Sequence, residues 1–429
     1  MIKKTLSLVE VTLEKIVGGG QTLGTLEDGR KVFVWGGLPG ETVQVQLTKM
    51  KSSYAEGVVT EVLKASAERV EPKDADSFLS TSPWQLMSLE TENRYKAALI
   101  EEAFELHDIV LPNPIEIYSD GVEYGYRNKV EFSFWFDYET NKLSLAFFRR
   151  GTHGKLRVDG TSLATDVINA HAAKIVEVLN ELGIEGRALK TLLIRSDAKG
   201  NIAWQLYVKD EDFAAETVMA KFDASENGEI IYSNPKSPAS VITKRLTKMV
   251  TPLSDTILDV PFHYATEGFF QINLPVYEQA LKDMSEWIVK DKQTVDLYSG
   301  VGSVGLTIGG DNVTLVELNE HAVREMERNI AELGKKATAV LAASERALDY
   351  ITSDKTIIVD PPRAGLHDDV IWRLIDEKPQ RIIYLSCNPV TQARDIARLT
   401  EVYGIKAHRG YNFFPHTPHI EHLVVLDLY

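Results

Sequence analysis

Cysteine is almost absent: Cys387 is the only one in 429 residues. That excludes an internal disulfide framework and leaves no thiolate cluster for zinc or iron–sulfur. Long apolar runs are missing too. No stretch approaches the roughly 18 uninterrupted apolar residues of a membrane span. The N-terminus, "MIKKTLSLVEVTLEKIV", alternates polar and apolar residues and lacks the apolar run and cleavage site of a signal peptide. Nor is there an excess of positive charge, since the net charge is −15. Such a balance argues against non-specific coating of nucleic acid, although an enzyme acting on nucleic acid needs only a local basic patch. Composition alone leans towards a cytoplasmic small-molecule enzyme, and the length calls for two or three domains.

The segment 1–66 reads as short strands: "LSLVEVTLEKIV", "EDGRKVFV", "GGLPGETVQVQL" and "YAEGVVTEVL", with dense glycine and a Pro-Gly turn. This pattern predicts a small closed β-barrel. Its basic residues Lys49, Lys51 and Lys64 fit either solvated strand faces or an oligonucleotide-binding surface. A polar connector, "ASAERVEPKDADS", ends it. The stretch 72–255 is expected to be an α+β domain, with a helix over "SLETENRYKAALIEEAFEL", strands in "YRNKVEFSFWF" and "KLSLAFFRR" turning at Asn141, a helix over "ATDVINAHAAKIVEVLNEL", and a hairpin turning at Lys199-Gly200. Here Arg127, Lys129, Arg149, Arg150 and Lys155 lie among aromatic residues. Cations interleaved with aromatics suit phosphate neutralisation and base stacking, or they are ordinary exposed charges on strand ends.

From 256 to 429 strands and helices alternate: "TVDLY", "VTLVEL", "TIIVD" and "RIIYLS" are short apolar strands separated by helical segments. This predicts an α/β fold with a doubly wound parallel sheet, whose ligands bind beyond the carboxyl ends of the strands. Every conspicuous motif of the segment falls at such an end. "DLYSGVGSVG" carries Gly300, Gly302 and Gly305 between a strand and a helix. A nicotinamide site fits that spacing as well, and Glu317 ending the next strand could bind ribose hydroxyls in either case. Asp296, just before the glycines, would repel a dinucleotide's pyrophosphate but suits the sulfonium of S-adenosylmethionine. The loop "DPPRAG" after a later strand also favours a methyltransferase.

In loops of the D-P-P-Y kind the aromatic stacks on a base whose exocyclic nitrogen is methylated. Arg363 stands there instead, which weakens that reading and leaves Arg363 as a candidate contact to target RNA. Cys387, in "LSCNP" at the end of the next strand, suits a different chemistry. C5 of uracil is a poor nucleophile; a thiolate adding to C6 makes C5 nucleophilic, and a base must later remove the C5 proton. A helix beginning near Thr391 would favour the thiolate. Glu421, in "FPHTPHIEHLV", is the candidate base. The same tail holds His416, His419 and His422, whose period of three turns the rings in different directions and fits a metal poorly. His419 is the better candidate for a neighbour of Glu421 or of the base.

The stretches "GFFQIN", "DLYSGVGSVGL", "VELN", "VDPPRAGL", "YLSCNP" and "FPHTPHIEHLVVL" stand in the order found in the RNA 5-methyluridine methyltransferases, the group containing the tRNA U54 enzyme and bacterial 23S rRNA relatives. The chain resembles that family over nearly its whole length, with 1–66 resembling a TRAM domain. The resemblance implies a class I S-adenosylmethionine-dependent methyltransferase domain, Cys387 as nucleophile and Glu421 as proton acceptor. It implies cofactor contacts from Gln271, Tyr298, Gly300, Gly302, Ser303, Glu317 and Asp360, with Ser303 lying where relatives often carry Asn. Phe269 and Phe270 become candidates for the wall of the target-base pocket, and Arg127, Arg149, Arg150, Arg363 and His419 for RNA contacts. A uridine within a stem would be flipped out to react.

Two departures stand out. Where many rRNA-modifying relatives hold an iron–sulfur cluster, this chain reads "LSTSPWQLM" and "VDGTSL", so no cluster is expected, and no resident metal. "DLYSG" replaces the usual D-L-Y-C-G. An RNA cytosine-C5 enzyme would carry its cysteine after D-x-P or in T-C-S, neither of which is present. A non-catalytic RNA-binding protein on this scaffold would be expected to have lost Cys387, Glu421 or the glycine loop. The expected partner is RNA, 23S rRNA ahead of tRNA, acted on by a monomer.

Overall fold

The computed structural model describes residues 7–429 apart from His153. The first six residues of the expected barrel, and the histidine of "FFRRGTHGK", lie outside the described residues. The chain divides into two units: Met1–Tyr95, Val122–Thr251 and Pro415–Pro418 form the first, and Lys96–Gly121, Pro252–Phe414 and His419–Tyr429 the second.

In the first unit, strands Leu8–Ile16, Thr22–Thr25, Lys31–Trp35, Thr42–Met50 and Tyr54–Lys64 close into a barrel. Alternation puts Val11, Leu13, Val32, Val34, Val43, Val45 and Leu47 inside. Lys49 on its outer face is paired with Glu56 at 2.6 Å, while Lys51 and Lys64 are exposed. The rest of the unit is a seven-stranded sheet, with helix Asp166–Glu181 contributing Ile168, Ala172, Ile175 and Leu179 to its core. The two turns expected at Asn141 and Gly200 are present with φ of +53° and +82°.

The second unit carries an eight-stranded sheet. Its strands in chain order are β1 (Ile117–Tyr118), β2 (Gln293–Leu297), β3 (Val313–Glu317), β4 (Thr338–Leu341), β5 (Lys355–Val359), β6 (Arg381–Ser386), β7 (Tyr403–Tyr411) and β8 (Glu421–Leu428). Their order is β4-β3-β2-β5-β6-β8-β7-β1. The strands from β4 to β6 are parallel, and β8 is antiparallel to both β6 and β7. The central strands are buried on both faces, which is why they read as continuous apolar runs. β1 and β4 escape the sequence reading: one is two residues long, and Thr338–Leu341 is only half covered. β1 also places part of the expected 72–255 block in this unit. Among the described residues no helix is long and apolar enough to cross a membrane.

Candidate active site

The parallel strands deliver their carboxyl ends to one edge of the sheet. After β2 the backbone turns sharply through left-handed residues, with φ +64° at Tyr298, +57° at Gly300 and +86° at Gly302. A side chain at Tyr298 in this region is costly, and such strain gathers at functional sites. Glu317, ending β3, accepts hydrogen bonds from the N–H of Gly300 at 2.9 Å and of Asn319 at 2.7 Å. It therefore holds the glycine loop while remaining half exposed. A Cβ at Gly305 would lie 2.3 Å from Leu315 Cδ2 and 2.9 Å from Asp296 Oδ2, so any larger residue there must displace buried side chains beneath the loop. Ser303 Oγ is 2.8 Å from the Tyr277 hydroxyl. Burial raises the Tyr298 hydroxyl above its ordinary value, against the pull of Ser344 and the His367 backbone.

Asp296 departs from the expectation of an acid facing the cofactor. Alternation along β2 turns it inward: it is fully buried, and its Oδ2 accepts the Gly305 N–H at 2.9 Å. Burial pushes its carboxyl up to about 8, so it is held protonated as a prop for the first turn of helix Ser303–Ile308.

The cysteine and the tail glutamate meet through strand register. β6 and β8 pair antiparallel with Ser386 opposite His422. One residue further along lie Cys387, just past the end of β6, and Glu421, the first residue of β8, which Tyr411 of β7 flanks on its other side. Asp360 follows β5, beside β6. These groups sense one another electrostatically. Burial, then the Glu421 and Asp360 carboxylates, push the Cys387 thiol up to about 12, while Arg363 draws it down. The helix after Cys387 starts at Pro389, with Asn388 capping it through the Val390 N–H at 3.2 Å. Its favourable end is outweighed by burial and two carboxylates, so the resting group is a thiol, contrary to the expected thiolate. Glu421 is raised well above its ordinary value, first by burial and then by Asp360, against the pull of Arg363 and Lys96. Burial takes Asp360 up to about 7.

The remaining candidates divide. Arg363 Nη2 lies 2.9 Å from His419 Nδ1, so His419 joins the cation of the D-P-P loop. Phe269 is 73% exposed, whereas Phe270 is buried, with its ring stacked 4.1 Å from that of Tyr264. That ring is core and not an open wall. Gln271 is half-buried. Arg149 is exposed and Arg127 half-buried. Arg150 is turned to structure: its Nε donates to the Leu79 carbonyl and its guanidinium lies 4.2 Å from the centroid of the Trp35 ring. The three tail histidines have separate surroundings. His416 stacks on Tyr124, His419 meets Arg363, and His422 Nδ1 sits 2.8 Å from Gln392 Oε1.

The sequence reading passed over Lys96, which is fully buried with its ammonium donating to Asn412 Oδ1 at 2.6 Å. It also passed over Gln392 and Asp395, polar residues on the buried stripe of the helix after Cys387. Their placement at the spacing of that stripe's Ala393, Ile396 and Leu399 was the available signal.

A doubly wound sheet with a glycine loop after β2, an acid ending β3 and a D-P-P loop after β5 is the architecture of a methyltransferase. Residues 94–428 match the family described as tRNA (uracil-5-)-methyltransferase, and residues 4–60 match the TRAM domain. The chain belongs to this family of S-adenosylmethionine-dependent RNA methyltransferases. A relative from Fusobacterium nucleatum, named as an uncharacterized RNA methyltransferase, is 28% identical over 97% of this chain and 95% of its own. One from Enterococcus faecalis with the same kind of name is 27% identical over 93% of each chain. The crystal structure of the Pyrococcus abyssi tRNA (uracil-54, C5)-methyltransferase, in complex with S-adenosyl-L-homocysteine, superposes with a TM-score of 0.79. It covers 97% of this chain and 100% of that one at 22% identity, a likeness of fold. The cofactor is S-adenosylmethionine, and the substrate is RNA. The carboxylates at the ends of β3 and β5 fit a cationic cofactor without phosphates.

Proposed function

We propose that the protein forms 5-methyluridine in 23S rRNA, acting as a cytoplasmic monomer through a covalent adduct on Cys387. The observation that supports the chemistry is the register of β6 and β8, which pairs Ser386 with His422, the residues directly beside Cys387 and Glu421. The Cys387 thiol passes its proton to solvent and its sulfur bonds to C6 of an extruded uracil, and the C5=C6 electron pair moves towards C5 and O4. S-adenosylmethionine supplies the methyl group that C5 receives. Glu421 then takes the C5 proton, the C5=C6 bond re-forms, and the sulfur leaves C6 with its electron pair. Gln271, Tyr298, Gly300, Gly302, Ser303, Glu317 and Asp360 hold the cofactor. Arg363 and His419 stand beside the reacting base, Phe269 is the exposed aromatic candidate for its pocket, and Arg127 and Arg149 contact the RNA backbone.

The rRNA assignment rests on the resemblance of the barrel to the TRAM domain of rRNA-modifying relatives. The second reading is tRNA U54, favoured by the whole-length likeness to the Pyrococcus abyssi tRNA (uracil-54, C5)-methyltransferase. Mapping 5-methyluridine in RNA from a strain lacking the gene distinguishes them. A site lost from 23S rRNA and restored by the gene is the expected result; loss at position 54 of tRNA instead assigns the second reading, and no lost site in either RNA rejects both.

A pH dependence follows from Asp360. With its carboxyl pushed up to about 7, it is protonated in the free protein below that pH. A sulfonium beside it favours the ionised form, so binding releases a proton there. Affinity for S-adenosylmethionine should fall about tenfold per pH unit below pH ~7 and level off above it. The uncharged thioether of S-adenosylhomocysteine should show a shallower slope. Calorimetric titration between pH 5.5 and 8.5 measures both, and equal slopes would remove Asp360 from the contact.

A further inference from the structure

The helix Pro389–Leu399 carries two fully buried polar side chains, Gln392 and Asp395. Three positions apart, they lie on one face, where apolar residues are the norm. Burying an amide and a carboxylate is unfavourable unless both are fully paired, so their partners show what the arrangement secures.

Gln392 reaches the strand of the base. Its Nε2 donates to the carbonyls of Tyr384 at 3.1 Å and His422 at 2.9 Å, and its Oε1 is 2.8 Å from His422 Nδ1. His422 directly follows Glu421. One side chain thus grips backbone and ring of the residue beside the base, and ties β8 to β6, the strand that ends just before Cys387.

Asp395 reaches the D-P-P loop. Its Oδ2 accepts the N–H of Leu366 at 2.7 Å and the hydroxyl of Tyr384 at 2.9 Å, and its Oδ1 takes the Arg394 guanidinium at 2.6 and 2.9 Å. Arg394 in turn donates to the Ala364 carbonyl at 2.9 Å. Asn388 and Thr391 both donate to the Arg363 carbonyl, at 2.9 and 3.2 Å. Gly365 lies flat on this helix at φ +81°, where a Cβ would stand 2.5 Å from Asp395 Oδ2. The loop that presents Asp360 and Arg363 is therefore fastened to the helix at three places, the carbonyls of Arg363 and Ala364 and the N–H of Leu366.

We propose that Gln392 and Asp395 are positioning residues with separate charges: Gln392 sets Glu421 through His422, and Asp395 sets Asp360 and Arg363 through the loop end at Leu366. This inference rests on the reading of Cys387 as nucleophile and Glu421 as base. The helix that begins beside the nucleophile is then the ruler from which both carboxylate-bearing segments are measured. A displacement of about 1 Å at such a segment is enough to cost on the order of 10²-fold in rate.

The two roles predict different failures. In Gln392→Met, covalent capture of RNA containing 5-fluorouridine, taken from whichever RNA class the mapping identifies, should stay within about threefold of the unaltered protein. Turnover on ordinary uridine RNA should fall at least about tenfold, with a denaturation-resistant adduct accumulating. In Asp395→Asn, capture itself should slow at least about tenfold, with no adduct on ordinary uridine RNA. Should either variant fail to fold by circular dichroism, Gln392→Glu and Thr391→Val carry the same contrast. Equal loss of capture and release in both variants, tracking lowered melting temperature, overturns the inference. If the unaltered protein captures no fluorouridine RNA, the nucleophile reading fails instead, and Cys387→Ala serves as the blank.

Discussion

Replacing Cys387 by alanine should abolish methyl transfer, lowering kcat/KM by about 10⁴-fold or more, because no other group can make C5 nucleophilic. The expectation is sharper than a simple loss of activity. Incubation with S-adenosylmethionine and 5-fluorouridine RNA should yield an adduct that survives denaturing electrophoresis, since fluorine at C5 cannot leave as a proton would. The alanine variant should show no such band while still binding RNA. A band of unchanged intensity would move the nucleophile elsewhere. A chain with no other cysteine makes the result unambiguous. The resting thiol, pushed up to about 12 by burial and two carboxylates, adds a second expectation. Alkylation by iodoacetamide at pH 7.5 should be slow in the free protein, and Cys387 should become more reactive when a cation settles among those carboxylates, as S-adenosylmethionine would.

Glu421→Gln should leave addition and methyl transfer in place and stall release, with turnover falling by about 10²–10⁴-fold and adduct accumulating on ordinary uridine RNA. The substitution is mild for the fold. Burial and Asp360 already favour the uncharged form of the Glu421 carboxyl, which glutamine matches in shape and charge. Melting temperature should therefore hold or rise, separating lost chemistry from lost structure. Normal turnover without adduct would show that another group removes the proton. Ionisation of Glu421 must precede its action, so the turnover of the unaltered protein should climb with pH as the raised carboxyl gives up its proton. Glu421→Gln should lose that rise.

Much of this protein is legible in its sequence because strands buried on both faces announce themselves as apolar runs, and because loops at their ends carry unusual residues. "TVDLYSGVGSVG" places a glycine turn after a strand, and the structure uses Gly300 and Gly302 in left-handed conformations there. "RIIYLSCNP" places the cysteine at a strand end in the same way. Short or half-covered strands carry no such signal, which is why Ile117–Tyr118 and Thr338–Leu341 went unread. Charged residues were legible by type but not by direction. Asp296 was expected at the cofactor and faces the Gly305 amide; Arg150 was expected at RNA and packs on Trp35; Phe270 stacks on Tyr264. Which face of an element is occupied depends on neighbours far away in the chain.

The sequence by itself determined the kind of chemistry, since a lone cysteine, a tail glutamate and a glycine loop in that order leave few reactions open. Tertiary structure alone decided how those groups act on each other. An antiparallel register, set by hydrogen bonds between strands separated by a helix and another strand, pairs Ser386 with His422 and so brings together the stretches that hold Cys387 and Glu421. Burial in that place, which no local pattern encodes, favours a resting thiol over the expected thiolate and raises the Glu421 carboxyl well above its ordinary value. Electrostatic energies depend on distance and dielectric, and both are properties of the folded chain.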